Sequence, residues 1–232
     1  MEFASEGPKA IPLWVNGHAF LTVAARFHDV VNPLTGEVLH RVPLCGWEEA
    51  AEAVAAARAA QPAWAAWLPA QRQAALEALA AALDRYSGHF AKLLRAETGL
   101  ADEQVRAEVA SALAALRGED VGDAGVVAIV ADATRPLAGF AETVAPVLRA
   151  GATAIVKPSP KAPSAAFALC ELSARAGWPA GVLNLMQGDR AAIDGLCRAA
   201  IDRLVFVGEA TLGAQVGAIA AAAGRPFAMR EA

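Results

Sequence analysis

GVVAIVADATRPLAGFAETVAPVLRAGATAIVKPS (125–159) decides the fold. Its first eight residues, 125–132, form a continuous apolar run that ends on Asp132. Such a run suits a strand buried on both faces. A helical block follows, PLAGFAETVAPVLRAG (136–151), and then a second apolar run, ATAIVKPS (152–159). Strand, helix and strand in this order make one unit of a parallel sheet.

The same alternation continues to the C-terminus. PKAPSAAFALCELSARAG reads as a helix, GVLNLMQG as a strand and DRAAIDGLCRAA as a helix. RLVFVGE (strand), ATLGAQVGAIAAAAG (helix) and RPFAMREA (strand) follow. Five strands alternating with four helices predict an α/β fold with a doubly wound, five-stranded parallel sheet over residues 125–232. A helix bundle alone would not explain the β-branched clusters Val126-Val127, Ile155-Val156 and Val205-Phe206-Val207.

Upstream, residues 46–118 change period. Four helix-like blocks follow one another, and Leu76, Leu79, Ala80 and Leu83 recur on one helical face. Glu48 and Glu49 suit a first helical turn, and Gly88, Gly99 and Gly118 punctuate later helix ends. Trp64, Trp67 and Leu68 read as core. Residues 1–45 form a short β segment of two hairpins, one turning at Asn16-Gly17 and one at Pro33 to Gly36. The three parts, 1–45, 46–118 and 125–232, are expected to make one domain over 1–232.

Composition narrows the function. The chain has 232 residues, with 20 Lys+Arg against 24 Asp+Glu, a net charge of −4. There is no basic stripe for nucleic acid. At 56% hydrophobic and 19% charged it is not disordered. MEFASEGPKA has no apolar core of a signal peptide, and no window is long and apolar enough for a membrane helix. Cys45, Cys170 and Cys197 are odd in number and widely spaced, so no metal site is expected and the thiols read as reduced, in the cytoplasm.

In such a sheet ligands bind at the carboxyl ends of the strands. Those ends are 132–135, 157–159, 187–189, 208–211 and 230–232. Lys157 reads either as a rim group for a ribose hydroxyl or phosphate, or as a solvated strand-end lysine. Gly208 and Gly213 bracket a strand-to-helix turn, where a backbone can approach a pyrophosphate. Glu209 stands against that: its carboxylate is expected to cap the helix and repel a phosphate. The cysteines lie before or within apolar helices and read as inert. His18, His28, His40 and His89 precede the sheet, so no nucleophilic triad is expected.

Together these motifs resemble the first half of an aldehyde dehydrogenase. LWVNG, VNPLTGEVLHRVP and AVAAARAAQPAWAAWLPAQR resemble its opening, and AETG a helix end. APVLRAGATAIVKPSPKAP, AGWPAGVLNLMQG and RLVFVGEATLG resemble successive parts of its Rossmann-like sheet. The resemblance implies a dinucleotide-binding fold with a vestigial cofactor site at Lys157, Ser159, Gly188, Gly208 and Gly213.

The departures bear on function. The family carries its nucleophilic cysteine in a second domain, and this chain stops at the fifth strand, so the catalytic domain reads as missing and no catalytic residue is assigned. Thr134 stands where the family has an oxyanion-binding Asn, and Arg230 or Glu231 near its general-base Glu. Pro160 replaces the carboxylate of the ribose clasp, and Glu209 the phosphate-facing Ser. Residues 118–125 leave little room for the family's projecting oligomerisation hairpin. These losses imply no cofactor or only weak NAD(P) binding. They imply a non-catalytic pseudoenzyme acting through a protein partner or self-association, on the face the catalytic domain covers in relatives. The alternative is an NAD(P)-dependent subunit completed in trans by another chain.

Overall fold

The computed structural model describes residues 8–231. The chain runs β1 (Leu13–Val15), β2 (His18–Phe20), β3 (Phe27–Val31), β4 (Val38–Pro43), α1 (Trp47–Ala65), α2 (Pro69–Arg85), α3 (Ser87–Thr98) and α4 (Asp102–Arg117). It continues β5 (Val126–Ala131), α5 (Ala138–Arg149), β6 (Thr153–Lys157), α6 (Ser164–Arg175), β7 (Leu183–Leu185), α7 (Arg190–Arg198), β8 (Arg203–Gly208), α8 (Ala210–Ala222) and β9 (Phe227–Glu231). The reading of residues 1–7 as lacking a leader lies outside the described residues, as does Ala232.

The five expected parallel strands are present, in the order β7-β6-β5-β8-β9. β5 is central and every residue of it is buried. Its side chains alternate between two cores. Val127 and Ile129 pack with α2 to α6 on one face, and Val126, Ala128 and Val130 with α1, α7 and α8 on the other. Helices on both faces explain why these strands read as unbroken apolar runs rather than alternating ones.

The N-terminal segment departs from expectation. It does not simply precede the sheet. β1 adds antiparallel to β7, with Trp14 opposite Leu185, and β2 follows, making seven strands. The cause is burial: Leu13, Trp14 and Val15 are all buried, and β1 covers the otherwise open edge of β7. The Asn16 N–H donates to the Asn184 side chain at 2.9 Å and fastens the hairpin there. Asn16 and Gly17 both have positive φ, as a tight hairpin turn demands. β3 and β4 form a separate two-stranded sheet.

Two further readings need correction. Gly99 ends α3 with φ 68° and Gly118 closes α4, but Gly88 lies inside the first turn of α3 rather than at a helix end. Trp64 is fully buried and Trp67 packs against the core, whereas Leu68 is 65% exposed. Leu68 is the N-cap of α2, where chain direction, not side-chain burial, sets its place. Residues 118–125 contain no strand, and Arg149 ties this short link down by donating to the carbonyls of Asp120 (2.6 Å) and Ala115 (3.0 Å).

Buried carboxylates cap two helices from a distance in sequence. Glu97 accepts from the Ser164 N–H at 3.1 Å and from the Ser164 hydroxyl at the start of α6. Burial outweighs these donors and pushes its carboxyl up to about 7. A raised carboxyl makes the native state take up a proton, so stability at this residue is full below the unfolded value of about 4.3 and is lost as pH rises towards 7. Glu97→Gln, which cannot ionise, is therefore expected to gain about 3 kcal/mol relative to the parent between pH 4.5 and 7.5. Urea unfolding at several pH values reads this; a difference that does not change with pH would contradict it.

Candidate functional site

The carboxyl ends of the parallel strands form one rim. In sheet order it carries Asp189 and Arg190 after β7, Lys157 and Ser159 at β6, Asp132 at β5, Gly208 and Glu209 at β8, and Arg230 and Glu231 on β9. Between this rim and helices α7 and α8 lies a cleft of about 270 Å³. Its apolar walls include Ile193, Leu212, Val216 and Ile219. Its polar groups include Lys157 and Ser159, so two of the five predicted site residues meet there.

Lys157 is not a solvated lysine. It is the last residue of β6 and only 4% exposed. Among the described residues it has no hydrogen-bond or ion-pair partner. Burial draws its ammonium down to about 8, and Asp189 partly restores it. Its stem is buried in the sheet while its ammonium opens on the cleft, where it can meet an oxygen-rich group.

The other three predicted residues do not line this cleft. Gly188 (φ 142°) sits against Cys45 and Ala192, where a Cβ would overlap the Ala192 side chain. Gly213 is buried against Phe206 and Met229 and lets α8 pack closely on the sheet. Gly208 has φ 146°, and a Cβ there would overlap the carboxylate of Asp132.

That carboxylate is the feature sequence reasoning missed. One oxygen accepts the Glu209 N–H at 2.7 Å, at the start of α8. The other accepts the Thr134 N–H at 2.8 Å and its hydroxyl at 2.5 Å. The expected capping by Glu209 is not made: Glu209 is the N-cap residue, but its side chain accepts no capping hydrogen bond. A protein carboxylate from β5 serves the N-terminus of α8 instead. No local signal in the sequence joins Asp132 to Glu209, which lie 77 residues apart.

A second network sits beside it. Arg135 donates to both oxygens of Glu142, at 2.8 and 2.6 Å, and lies 3.6 Å from Glu108. Glu108 accepts the N–H groups of Leu137 and Ala138 and so caps α5. Arg230 donates to the Glu142 carbonyl at 3.1 Å, while Glu231 is exposed. Thr134 and Arg230 are thus tied into intramolecular bonds, while Glu231 is left free of them among the described residues.

The thiols behave as read. All three are buried. Burial, with Glu49 nearby, pushes Cys45 up to about 12, and burial with Asp194 nearby pushes Cys197 up to about 11. Cys170 is raised by burial alone. Nucleophilic sulfur chemistry needs a thiolate, and none of these is one near neutral pH. His18, on β2, belongs to the sheet after all, at its far edge; His28, His40 and His89 lie on β3, β4 and α3. Among the described residues no His, Cys, Asp and Glu group is placed to hold a metal ion, and no helix is long and apolar enough to cross a membrane.

Against known proteins, residues 20–118 and 123–230 match the aldehyde dehydrogenase family. The chain is 35% identical over 207 residues to malonate-semialdehyde dehydrogenase of Pseudomonas aeruginosa, covering 79% of this chain and 42% of that protein. It is 31% identical over 228 residues to glutarate-semialdehyde dehydrogenase of Pseudomonas putida, covering 88% of this chain and 48% of that one. Among solved structures, aldehyde dehydrogenase C of Pseudomonas syringae with NAD+ and octanal superposes with a TM-score of 0.88 at 26% identity. That superposition covers 96% of this chain and 50% of the other. The chain spans about half the length of the curated relatives it matches.

Proposed function

Since the chain belongs to the aldehyde dehydrogenase family, we propose that it is a non-catalytic member, a pseudoenzyme that acts by binding a protein partner or a second copy of itself. One observation carries this reading: the Asp132 carboxylate already serves the N-terminus of α8, with Glu209 beside it. That turn is where a dinucleotide would set its pyrophosphate. A phosphate charge about 4 Å from one carboxylate, at an effective dielectric near 20, meets roughly 4 kcal/mol of repulsion. That equals the whole binding free energy of a ligand at about 1 mM.

The reactive groups point the same way. Residue 134 is a threonine bonded to Asp132, and residue 230 is an arginine bonded to the Glu142 carbonyl. None of the three thiols is activated. For the contact surface, the support is β9, which among the described residues pairs with β8 alone. Its Phe227, Ala228 and Met229 are only half-buried. An open strand edge is a template for association. Reduced, buried thiols fit a cytoplasmic setting.

A specific observation favours one second reading. The cleft at Lys157 and Ser159 keeps a nucleoside-sized slot, as an NAD(P)-dependent subunit completed in trans would need. The experiment is an assay for reduced cofactor, supplying NAD+ or NADP+ and short and long aldehydes, with light scattering on the same sample. The expected result is no turnover above buffer and a dimer or larger complex. Turnover by the isolated chain would overturn the proposal. Turnover only on adding a second chain would establish the in-trans reading.

A further inference from the structure

Two guanidiniums are buried without a counter-ion. Arg72 on α2 and Arg149 at the end of α5 are each only 7% exposed. Buried charges are ordinarily paired. Among the described residues neither of these makes an ion pair. Arg72 donates from Nε to the Arg149 carbonyl at 2.9 Å and from Nη1 to the Ala65 and Trp67 carbonyls. Its Nη2 has no partner among the described residues. Arg149 donates to Gln73 Oε1 at 2.8 Å and to the carbonyls of Ala115, Leu116 and Asp120. The carboxylates that act on Arg149, Asp120 and Glu119, are exposed, and burial outweighs their pull on its guanidinium.

Both guanidiniums line one cavity of about 460 Å³, inside the range of roughly 300–1,000 Å³ typical of small-molecule sites. It lies where α5 turns into β6, at the amino end of the parallel strands and away from the rim. The first turn of α2 opens on it through Pro69 and Ala70. That turn holds no acidic residue, and its N-cap, Leu68, makes no side-chain cap. The N–H groups of Gln71 and Arg72 return to the Leu68 carbonyl at 2.9 and 3.2 Å. The Ala70 N–H has no partner among the described residues, and it stands at the positive end of a 17-residue helix. Helix end and guanidiniums thus add their fields at one place.

From the two uncompensated charges and the open helix end beside them, we propose that this cavity binds a phosphate group, free or as the monoester of a small alcohol. Its oxygens accept from Arg72 Nη2 and the Ala70 N–H, charge-assisted bonds being the strong ones. Arg149, whose nitrogens all bond elsewhere, adds its charge. A phosphate carries about −1.5 to −2 at neutral pH, so it gains more from two cations than a singly charged carboxylate does. Val121, 70% exposed, and Pro69 give the carbon chain of an ester an apolar wall.

The test is a calorimetric titration of the purified full chain with glycerol 3-phosphate, inorganic phosphate and acetate, all at one low ionic strength. Both phosphates are expected to bind at least tenfold tighter than acetate. Tighter binding of the ester assigns the cavity to monoesters, and equal or weaker binding of the ester assigns it to free phosphate; either sustains the proposal. Ala70→Asp sets a carboxylate on the helix end and should weaken phosphate binding at least tenfold while the thermal midpoint holds or rises. Glu119→Gln removes the carboxylate that lines the cavity and should tighten phosphate binding about twofold. Both side chains are exposed, so neither change threatens the fold. Acetate binding as tightly as phosphate, no saturable phosphate binding at millimolar concentration, or unchanged phosphate affinity in both variants would overturn the proposal.

Discussion

Trp64→Ala is expected to destabilise the chain by about 4 kcal/mol. Trp64 is fully buried on α1 and joins three helices. Its indole N–H donates to the Leu148 carbonyl at 2.9 Å, at the end of α5. Its ring lies 4.9 Å from that of Trp67 and stacks 5.9 Å from that of Trp178. Trp178 in turn donates to the Ala75 carbonyl on α2 at 2.9 Å. Truncation leaves a cavity between these parts and breaks two aromatic pairs, each worth about 0.5–1.5 kcal/mol beyond its burial. The carbonyl of Leu148 is not orphaned, because the Gly151 N–H also reaches it at 3.0 Å, so no further penalty for an unpaired acceptor is added. The loss is a large part of the 5–15 kcal/mol that holds a typical domain together. A urea midpoint that shifts by the equivalent of less than 2 kcal/mol would mean that the helical block is not anchored on this residue.

Gly208→Ala is the second large effect, at about 3 kcal/mol. Two causes combine. A φ of 146° is strained for any residue with a side chain. The new methyl would also overlap the Asp132 carboxylate and come within 2.8 Å of the Asp132 Cβ. Asp132 must then leave, releasing the Glu209 and Thr134 N–H groups together. Gly224→Ala is the control. It has φ 66° and open space around it, so it should lose only about 1 kcal/mol, from backbone strain alone. A double-mutant cycle isolates the coupling: in an Asp132→Ala background, Gly208→Ala should become milder by at least about 1 kcal/mol. Additive effects would show that Gly208 and Asp132 do not compete for the same space.

Much of the architecture was legible because the signals were local. An unbroken run such as VVAIVA has one economical fate, a strand covered on both faces, and the β5 burial pattern bears it out. The place of β1 was not legible. Its pairing joins Trp14 to Leu185, and nothing near residue 14 marks that partner. Leu68 misled because an apolar residue beside two tryptophans looks like core, while its backbone was needed as a helix cap. At the rim, Lys157 was visible from its place after an apolar strand, although its burial was not. Gly208 marks the right turn in the sequence, but the occupant of that turn is different. The carboxylate it accommodates belongs to Asp132, brought beside it only because β5 and β8 are neighbours in the sheet.

The most direct measurement is the affinity of the purified chain for NAD+, by calorimetric titration at low salt, beside the Asp132→Asn/Glu209→Ser double variant. Carboxylates at the α8 turn predict a dissociation constant of about 1 mM or weaker for the parent, and binding at least tenfold tighter once both charges are removed. Micromolar binding by the parent, or no gain in the variant, would contradict the claim that this chain's own carboxylates have taken the cofactor's place.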